Sequence, residues 1–114
     1  WRKEGILFAR GLTLAQRLAA GEIGLPVWAA IGRCIRRFHD YGLCHADLNA
    51  HNILLRGDSE VFLIDFDRCA RRKPGMWRDA NLARLRRSLD ALEDQRQEPR
   101  FDDTQWQCLL AAWF

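Results

Sequence analysis

Apolar residues along the chain come in two kinds of run, short uninterrupted ones and longer ones with a three- and four-residue beat. Ile6, Leu7, Phe8 and Ala9 are of the first kind and stop at Arg10-Gly11, which predicts a strand leaving into a tight turn. Thr13 then caps a short helix reaching about Ala20, and Gly21 to Gly24 break the pattern. Pro26 suits a first helical position. After it Trp28, Ile31, Ile35 and Phe38 recur at helical spacing while Arg33, Arg36 and Arg37 face elsewhere, so the stretch predicts an amphipathic helix ending near Tyr41-Gly42. His39, beside Asp40, reads as a surface residue of that helix.

From Leu43 to Asn52 the chain turns polar and aperiodic. Two apolar runs follow, Ile53-Leu54-Leu55 and Val61-Phe62-Leu63-Ile64, joined by the Gly-containing Arg56-Gly57-Asp58-Ser59-Glu60, and they predict a β-hairpin. Residues 66 to 77 read as an irregular basic loop. A helix is expected from about Arg78 to Leu92, with Leu82, Leu85, Leu89 and Leu92 on one face. A last one, from about Asp103 to Trp113, would bury Trp106, Leu109, Leu110 and Trp113. The expected class is α+β, mainly helical with a small hairpin.

Length and composition narrow this further. The 114 residues are one domain's worth, and 48% hydrophobic with 29% charged is the balance of a globular chain rather than a disordered one. No window approaches the roughly 20 apolar residues of a membrane-spanning helix, and Trp1-Arg2-Lys3-Glu4 lacks the apolar core of a secretion signal. Cys34, Cys44, Cys69 and Cys108 form no C-x-x-C pair, which fits reduced thiols in a cytosolic setting better than a disulfide scaffold.

The polar segment holds the chemistry. His45-Ala46-Asp47-Leu48-Asn49-Ala50-His51-Asn52 satisfies H-x-D-x-x-x-x-N, a phosphotransferase loop pattern. Such chemistry needs an Asp to accept or orient a hydroxyl proton, and an Asn a few residues on whose amide oxygen can reach a metal. One hairpin later, Ile64-Asp65-Phe66 places a second carboxylate at the end of an apolar strand, where it can chelate a hard cation. Each piece alone is a turn or cap pattern. The order of helix, loop, hairpin and acid makes the combination specific.

These residues resemble the catalytic half of the protein-kinase-like superfamily. More narrowly, H-A-D-L-N-A-H-N-I-L-L, then L-I-D-F-D-R and N-L-A-R-L-R-R-S-L, is similar to the 3-deoxy-D-manno-octulosonic acid (Kdo) kinases of lipopolysaccharide core assembly. The resemblance runs from about Ile6 to Leu89. It implies ATP and Mg²⁺ as cofactors, Asp47 as catalytic Asp, Asn52 and Asp65 as metal ligands, and His45 as a buried support of the loop. It also implies an interlobe hinge at Phe8, Ala9, Arg10 and Gly11 whose backbone meets the adenine. Residues 1–11 would then be the last front-lobe strand and hinge, and 12–114 the catalytic C-terminal lobe.

The departures from the pattern carry information too. Protein kinases have Lys two residues after the catalytic Asp, where this chain has Asn49, and D-F-G where it has Asp65-Phe66-Asp67. Both point away from protein substrates. No G-x-G-x-x-G occurs, and Lys3 and Lys73, the only lysines, lie outside a V-A-I-K strand. With a start at Trp1, the expectation is a C-terminal fragment that lacks the front lobe and turns over weakly alone.

Arg68, Arg71, Arg72, Lys73, Arg78, Arg84, Arg86 and Arg87 share their stretch with one acid, Asp79. The run is either a solvated face or a patch for an anionic ligand or membrane surface. Candidate acceptor-facing residues are Asn49, His51, Asp67, Arg68, Arg71 and Arg72, although a loop histidine such as His51 more often fixes its own loop. Trp77 is the aromatic candidate for substrate or membrane contact.

The implied acceptor is the 4-hydroxyl of Kdo on a lipid A precursor. The implied location is the cytoplasmic face of the bacterial inner membrane or the cytoplasm, and no nucleic-acid partner is expected. An aminoglycoside- or choline-type phosphotransferase shares H-x-D-x-x-x-x-N, but its cationic acceptor suits an acidic pocket. A non-catalytic nucleotide-binding module is the other alternative.

Overall fold

A computed structural model of the chain describes residues 11–57, 60–64 and 69–114. The strand expected at Ile6–Ala9, the hinge residues Phe8, Ala9 and Arg10, and the Asp65-Phe66-Asp67-Arg68 segment lie outside the described residues.

Local chemistry explains where the helices start and stop. Thr13 ends the two-residue strand β1 (Leu12–Thr13) and caps α1 (Leu14–Ala20). Its hydroxyl accepts from the Gln16 N–H at 3.1 Å, while the Gln16 side chain accepts from the Thr13 N–H at 2.8 Å, a reciprocal capping box. The far end of α1 is closed by Arg100, which donates to the Leu18 and Ala19 carbonyls at 2.6 and 2.7 Å. Helix α2 (Leu25–Asp40) carries Pro26 in its first turn, where no backbone donor is missed. It stops at Tyr41 because Gly42 takes a φ of +75°, a conformation open to glycine at little cost.

Past that turn come β2 (Leu43–His45), β3 (Ile53–Arg56), β4 (Glu60–Leu63) and β5 (Cys69–Arg71). Helix α3 (Trp77–Glu93) and helix α4 (Asp103–Trp113) complete the order, and Asp102 with Gln105 repeats the capping box at the start of α4. The expected hairpin is present with Ile53 opposite Leu63, and β1 joins its other side to make an antiparallel order β1-β3-β4. As the middle strand, β3 buries Ile53, Leu54 and Leu55 without alternation.

Two stretches differ from the expectation. Residues 69–71, expected in an irregular loop, form β5. The strand pairs antiparallel with Leu43–His45, the first part of what reads as aperiodic polar chain. Strands of three residues are too short to display alternation, so their pairing is set by partners far away in sequence. Arg72 extends the pairing by donating its N–H to the Gly42 carbonyl at 2.7 Å. The fold is α+β, as expected, with two small antiparallel sheets among the described residues in place of a lone hairpin.

The core lies between α2, the inner faces of the sheets, α3 and α4. Trp28, Ile31, Ile35, Leu48, Ile53, Leu63, Leu85, Leu89 and Leu109 are fully buried in it. Trp28 satisfies its indole N–H on the Ile23 carbonyl at 3.2 Å. Where α2 and α4 cross, Gly32 allows contact at backbone distance, since a Cβ there would run into the Leu109 carbonyl oxygen. Burial pushes the Cys34 thiol up to about 11, so it stays protonated and packs as a core residue. None of the four cysteines forms a disulfide. No helix among the described residues is long and apolar enough to cross a membrane.

Candidate active site

The segment from His45 to Asn52 alternates between anchors and presented groups. Leu48 and Ala50 are fully buried, while Asp47, Asn49 and His51 between and beside them keep solvent access. The apolar positions thus pin a loop that displays its polar ones.

His45 is the hub. Its Nδ1 accepts the Asp47 backbone N–H at 3.1 Å. That leaves the proton on Nε2, which donates to the Ile64 carbonyl at 2.8 Å. One buried imidazole therefore ties the backbone of Asp47 to the residue immediately before Asp65. Ile64 is held from the other side as well, its N–H donating to the Asn52 carbonyl at 2.9 Å.

The two asparagines close the loop on itself. Asn52, buried, donates Nδ2–H to the Asp47 carbonyl at 2.7 Å, and Asn49 donates to the same oxygen at 3.0 Å. Asn52 has thereby committed its amide nitrogen, and its Oδ1 is the atom left to meet a cation. Asn49 spends its own Oδ1 on the His51 N–H at 2.8 Å, an Asx-type turn. Asn49 is thus a loop-shaping residue by its contacts. The His51 side chain is exposed and lines a surface cleft of about 370 Å³ with Ala15, Gln16, Ala19, Leu92 and Arg96.

A second layer of support comes from α3, which lies along the loop. Asn81 donates to the His45 carbonyl at 2.7 Å, Arg84 sits 3.7 Å from the Asp47 carboxylate, and Ser88 accepts the Ala50 N–H at 2.9 Å. Spacings of three and four residues put these side chains on one helix face. From α1, the Ala15 N–H donates to the Ala50 carbonyl at 3.1 Å, using a first-turn donor with no partner inside its own helix.

His39 is a correction. Expected at the surface, it is buried, because both ring nitrogens have partners from distant parts of the chain. The Trp113 indole N–H donates to Nδ1 at 2.9 Å, so Nε2 carries the proton and donates to Asn81 Oδ1 at 3.0 Å. A relay of hydrogen bonds runs from Trp113 through His39 and Asn81 to the His45 carbonyl. Burial lowers the His39 pKa below its ordinary value; the Asn81 hydrogen bond partly opposes this, and nearby Arg78 adds to it. Trp77 packs edge-on against the same ring, with centroids 5.1 Å apart, and donates its indole N–H to the Lys73 carbonyl at 2.6 Å.

The basic run divides in two. Arg78 donates to the His39 carbonyl, Arg84 meets Asp47, and Arg86 bridges Asp90 and Asp103. Arg71, Arg72, Lys73 and Arg87 are exposed. Of the expected site residues, the structure brings His45, Asp47, Asn49, His51 and Asn52 together and sets Arg71 and Arg72 on and beside β5. Phe8, Ala9, Arg10, Asp65, Asp67 and Arg68 lie outside the described residues. Sequence reasoning missed His39, Asn81, Arg84, Ser88 and Trp113 as supports. The polar face at 81, 84 and 88 was the signal for three of them.

A model of the Lipopolysaccharide kinase (Kdo/WaaP) family matches residues 12–113. Among curated proteins, the 3-deoxy-D-manno-octulosonic acid kinase of Mannheimia succiniciproducens is 44% identical over 95 residues, covering 81% of this chain and 39% of that protein. The enzyme of the same name from Actinobacillus succinogenes is 44% identical over 108 residues, 92% of this chain and 44% of that protein. That from Pasteurella multocida is 41% identical over 113 residues, 96% of this chain and 46% of that protein. The chain thus spans less than half the length of these relatives.

Proposed function

Because the chain belongs to the lipopolysaccharide kinase (Kdo/WaaP) family, we propose that the protein carrying it transfers the γ-phosphoryl group of ATP to the 4-hydroxyl of Kdo on a lipid A precursor. In this reading residues 12–114 form the C-terminal lobe of a kinase-like fold, and residues ahead of them complete the nucleotide site. The observation that carries the reading is the single imidazole of His45, which ties the Asp47 N–H to the residue preceding Asp65.

Asp47 orients the acceptor hydroxyl and takes its proton as the new oxygen–phosphorus bond forms and the bond from the γ-phosphorus to the departing ADP breaks. Asn52 and Asp65 would hold Mg²⁺, and the donor chemistry fits, since an amide oxygen and a carboxylate are hard ligands. Bound there, the ion would supply positive charge to offset that of the phosphates. Asn52 suits the task because its Nδ2–H donates to the Asp47 carbonyl, which fixes the amide whose Oδ1 is left to act as a ligand. The exposed cations Arg71, Arg72 and Lys73 suit the sugar carboxylate, lipid A phosphates or the anionic inner leaflet. A cationic patch also disfavours an aminoglycoside-type acceptor.

The test is transfer of labelled γ-phosphate from ATP by the full-length protein carrying this chain, with an Asp47→Ala variant alongside. Acceptors are a Kdo-bearing lipid A precursor and, as control, an aminoglycoside. Label on the Kdo lipid that vanishes in the variant supports the reading. Binding of Mg-ATP with no label on either acceptor would replace it with a non-catalytic module.

A further inference from the structure

We propose that Arg84 is a positioning residue for the Asp47 carboxylate, supplying from α3 a positive charge that the loop itself does not carry. The inference rests on the reading of Asp47 as the group that orients the acceptor hydroxyl.

The Arg84 guanidinium lies 3.7 Å from Asp47 Oδ1, an ion pair rather than a hydrogen bond, with both side chains partly open to solvent. It is not an isolated surface encounter. Asn81 and Ser88, on the same helix face, are hydrogen-bonded to the loop on either side of Asp47, so the register that delivers Arg84 is held at both ends. Of the neighbouring arginines, Arg78 is committed to the His39 carbonyl and Arg86 to Asp90 and Asp103, while Arg87 is exposed. Two residues after Asp47 stands Asn49, which is uncharged and has both ends of its amide turned back into the loop. Among the described residues, Arg84 is the one cation within ion-pair distance of this carboxylate.

A carboxylate that must work beside a nucleotide polyphosphate and an acidic sugar is repelled by both. A guanidinium on one of its oxygens offsets that repulsion, restricts rotation of the carboxylate and leaves Oδ2 for the hydroxyl. Exposed ion pairs contribute little to folding. The role of Arg84 in catalysis is therefore separable from stability.

The experiment uses the full-length protein carrying this chain, assayed for phosphoryl transfer to the Kdo-bearing lipid A precursor. The variants are Arg84→Ala, Arg84→Lys, Asp47→Ala and the Arg84→Ala/Asp47→Ala pair. Arg84→Ala is expected to lower kcat by up to about 10²-fold, the scale of a misplaced catalytic group, with both KM values and the melting temperature little changed. Guanidinium ion added to Arg84→Ala should restore part of the lost kcat where urea does not, and Arg84→Lys should retain part of it. The double variant should be no slower than Asp47→Ala alone, because Arg84 acts through Asp47. A kcat within about threefold of the parent, a loss confined to KM, an absence of guanidinium rescue, or independent losses in the double variant would overturn the proposal. Full transfer by Asp47→Ala would instead overturn the reading beneath it. Should Arg84→Ala fail to fold, Arg84→Met keeps the apolar stem and carries the same comparison.

Discussion

Two polar regions of this protein are built on opposite principles. Around His45 the polar groups are buried or half-buried and hydrogen-bonded: Trp113, His39, Asn81, His45, Asn52 and Ser88 each have a hydrogen-bonding partner across the loop or its supporting helices. Around β5 they are exposed, and among the described residues Arg71 and Arg72 are held by backbone pairing, through Leu43 and Gly42. The first arrangement fixes atoms, because each donor left unpaired in a closed interior costs desolvation energy. The second fixes only an average position of charge, which suffices for attraction over the screening length of salt water. Placement of a reacting carboxylate needs the first, and capture of an anionic surface needs the second.

This contrast can be broken at graded points. The largest effect is expected from Asp47→Asn in the full-length protein, with a loss of about 10²- to 10⁴-fold in kcat and little change in melting temperature. A large drop in melting temperature would mean that Asp47 holds the fold rather than the reaction. Next is Asn81→Ala, which strips a partner from the His45 carbonyl and from His39 Nε2 at once. At about 1–3 kcal/mol for each buried group left unpaired, urea unfolding should show a loss of roughly 2–6 kcal/mol.

Gly32→Ala should be somewhat milder. The added methyl group meets the Leu109 carbonyl and forces α2 from α4, at about 1–3 kcal/mol less a helix-propensity gain of under about 1 kcal/mol. Calorimetry checks the shift.

A smaller effect belongs to pH. His39 has a folded pKa below its ordinary 6.5, so the unfolded chain takes up the proton first as pH falls. Its contribution to stability is complete above 6.5 and declines below it, down to the folded value. His39→Gln should flatten the slope of stability against pH in that window. An unchanged slope would detach His39 from the relay.

Smallest in stability is Arg71→Glu with Arg72→Glu, within about 0.5 kcal/mol as for other exposed sites. The pair should nonetheless raise the KM for the lipid-linked acceptor and weaken binding to anionic vesicles, more so at low salt. Unaltered KM and vesicle binding would leave the patch a solvated face.

Much of this was legible before any coordinates. The three- and four-residue beat located α2, α3 and α4, Thr13 marked the start of α1, and the alternative conformer open to Gly42 agrees with where α2 stops. That His45, Asp47 and Asn52 share one loop was legible because they lie within eight consecutive residues. His39 was not, although it stands four residues after Ile35 on the buried face. A histidine there is buried only if distant groups meet both ring nitrogens, and those groups are 42 and 74 residues away. Arg84 was hidden differently. In a run of arginines, composition cannot say which one faces a carboxylate. β2 and β5 were missed because three residues carry no period.

The bond from Trp113 to His39 also bears on how the protein is made. The loop that displays Asp47 leaves the ribosome before α4, and the indole that completes its support lies 66 residues beyond Asp47. At synthesis rates of about 5–20 residues per second, the nascent chain spends several seconds with a formed motif and an unfinished scaffold. During that interval His39 lacks its last donor, and α2 presents the bare Gly32 surface that α4 will cover. Assembly of the loop's support is therefore timed by α4 and not by the loop residues themselves.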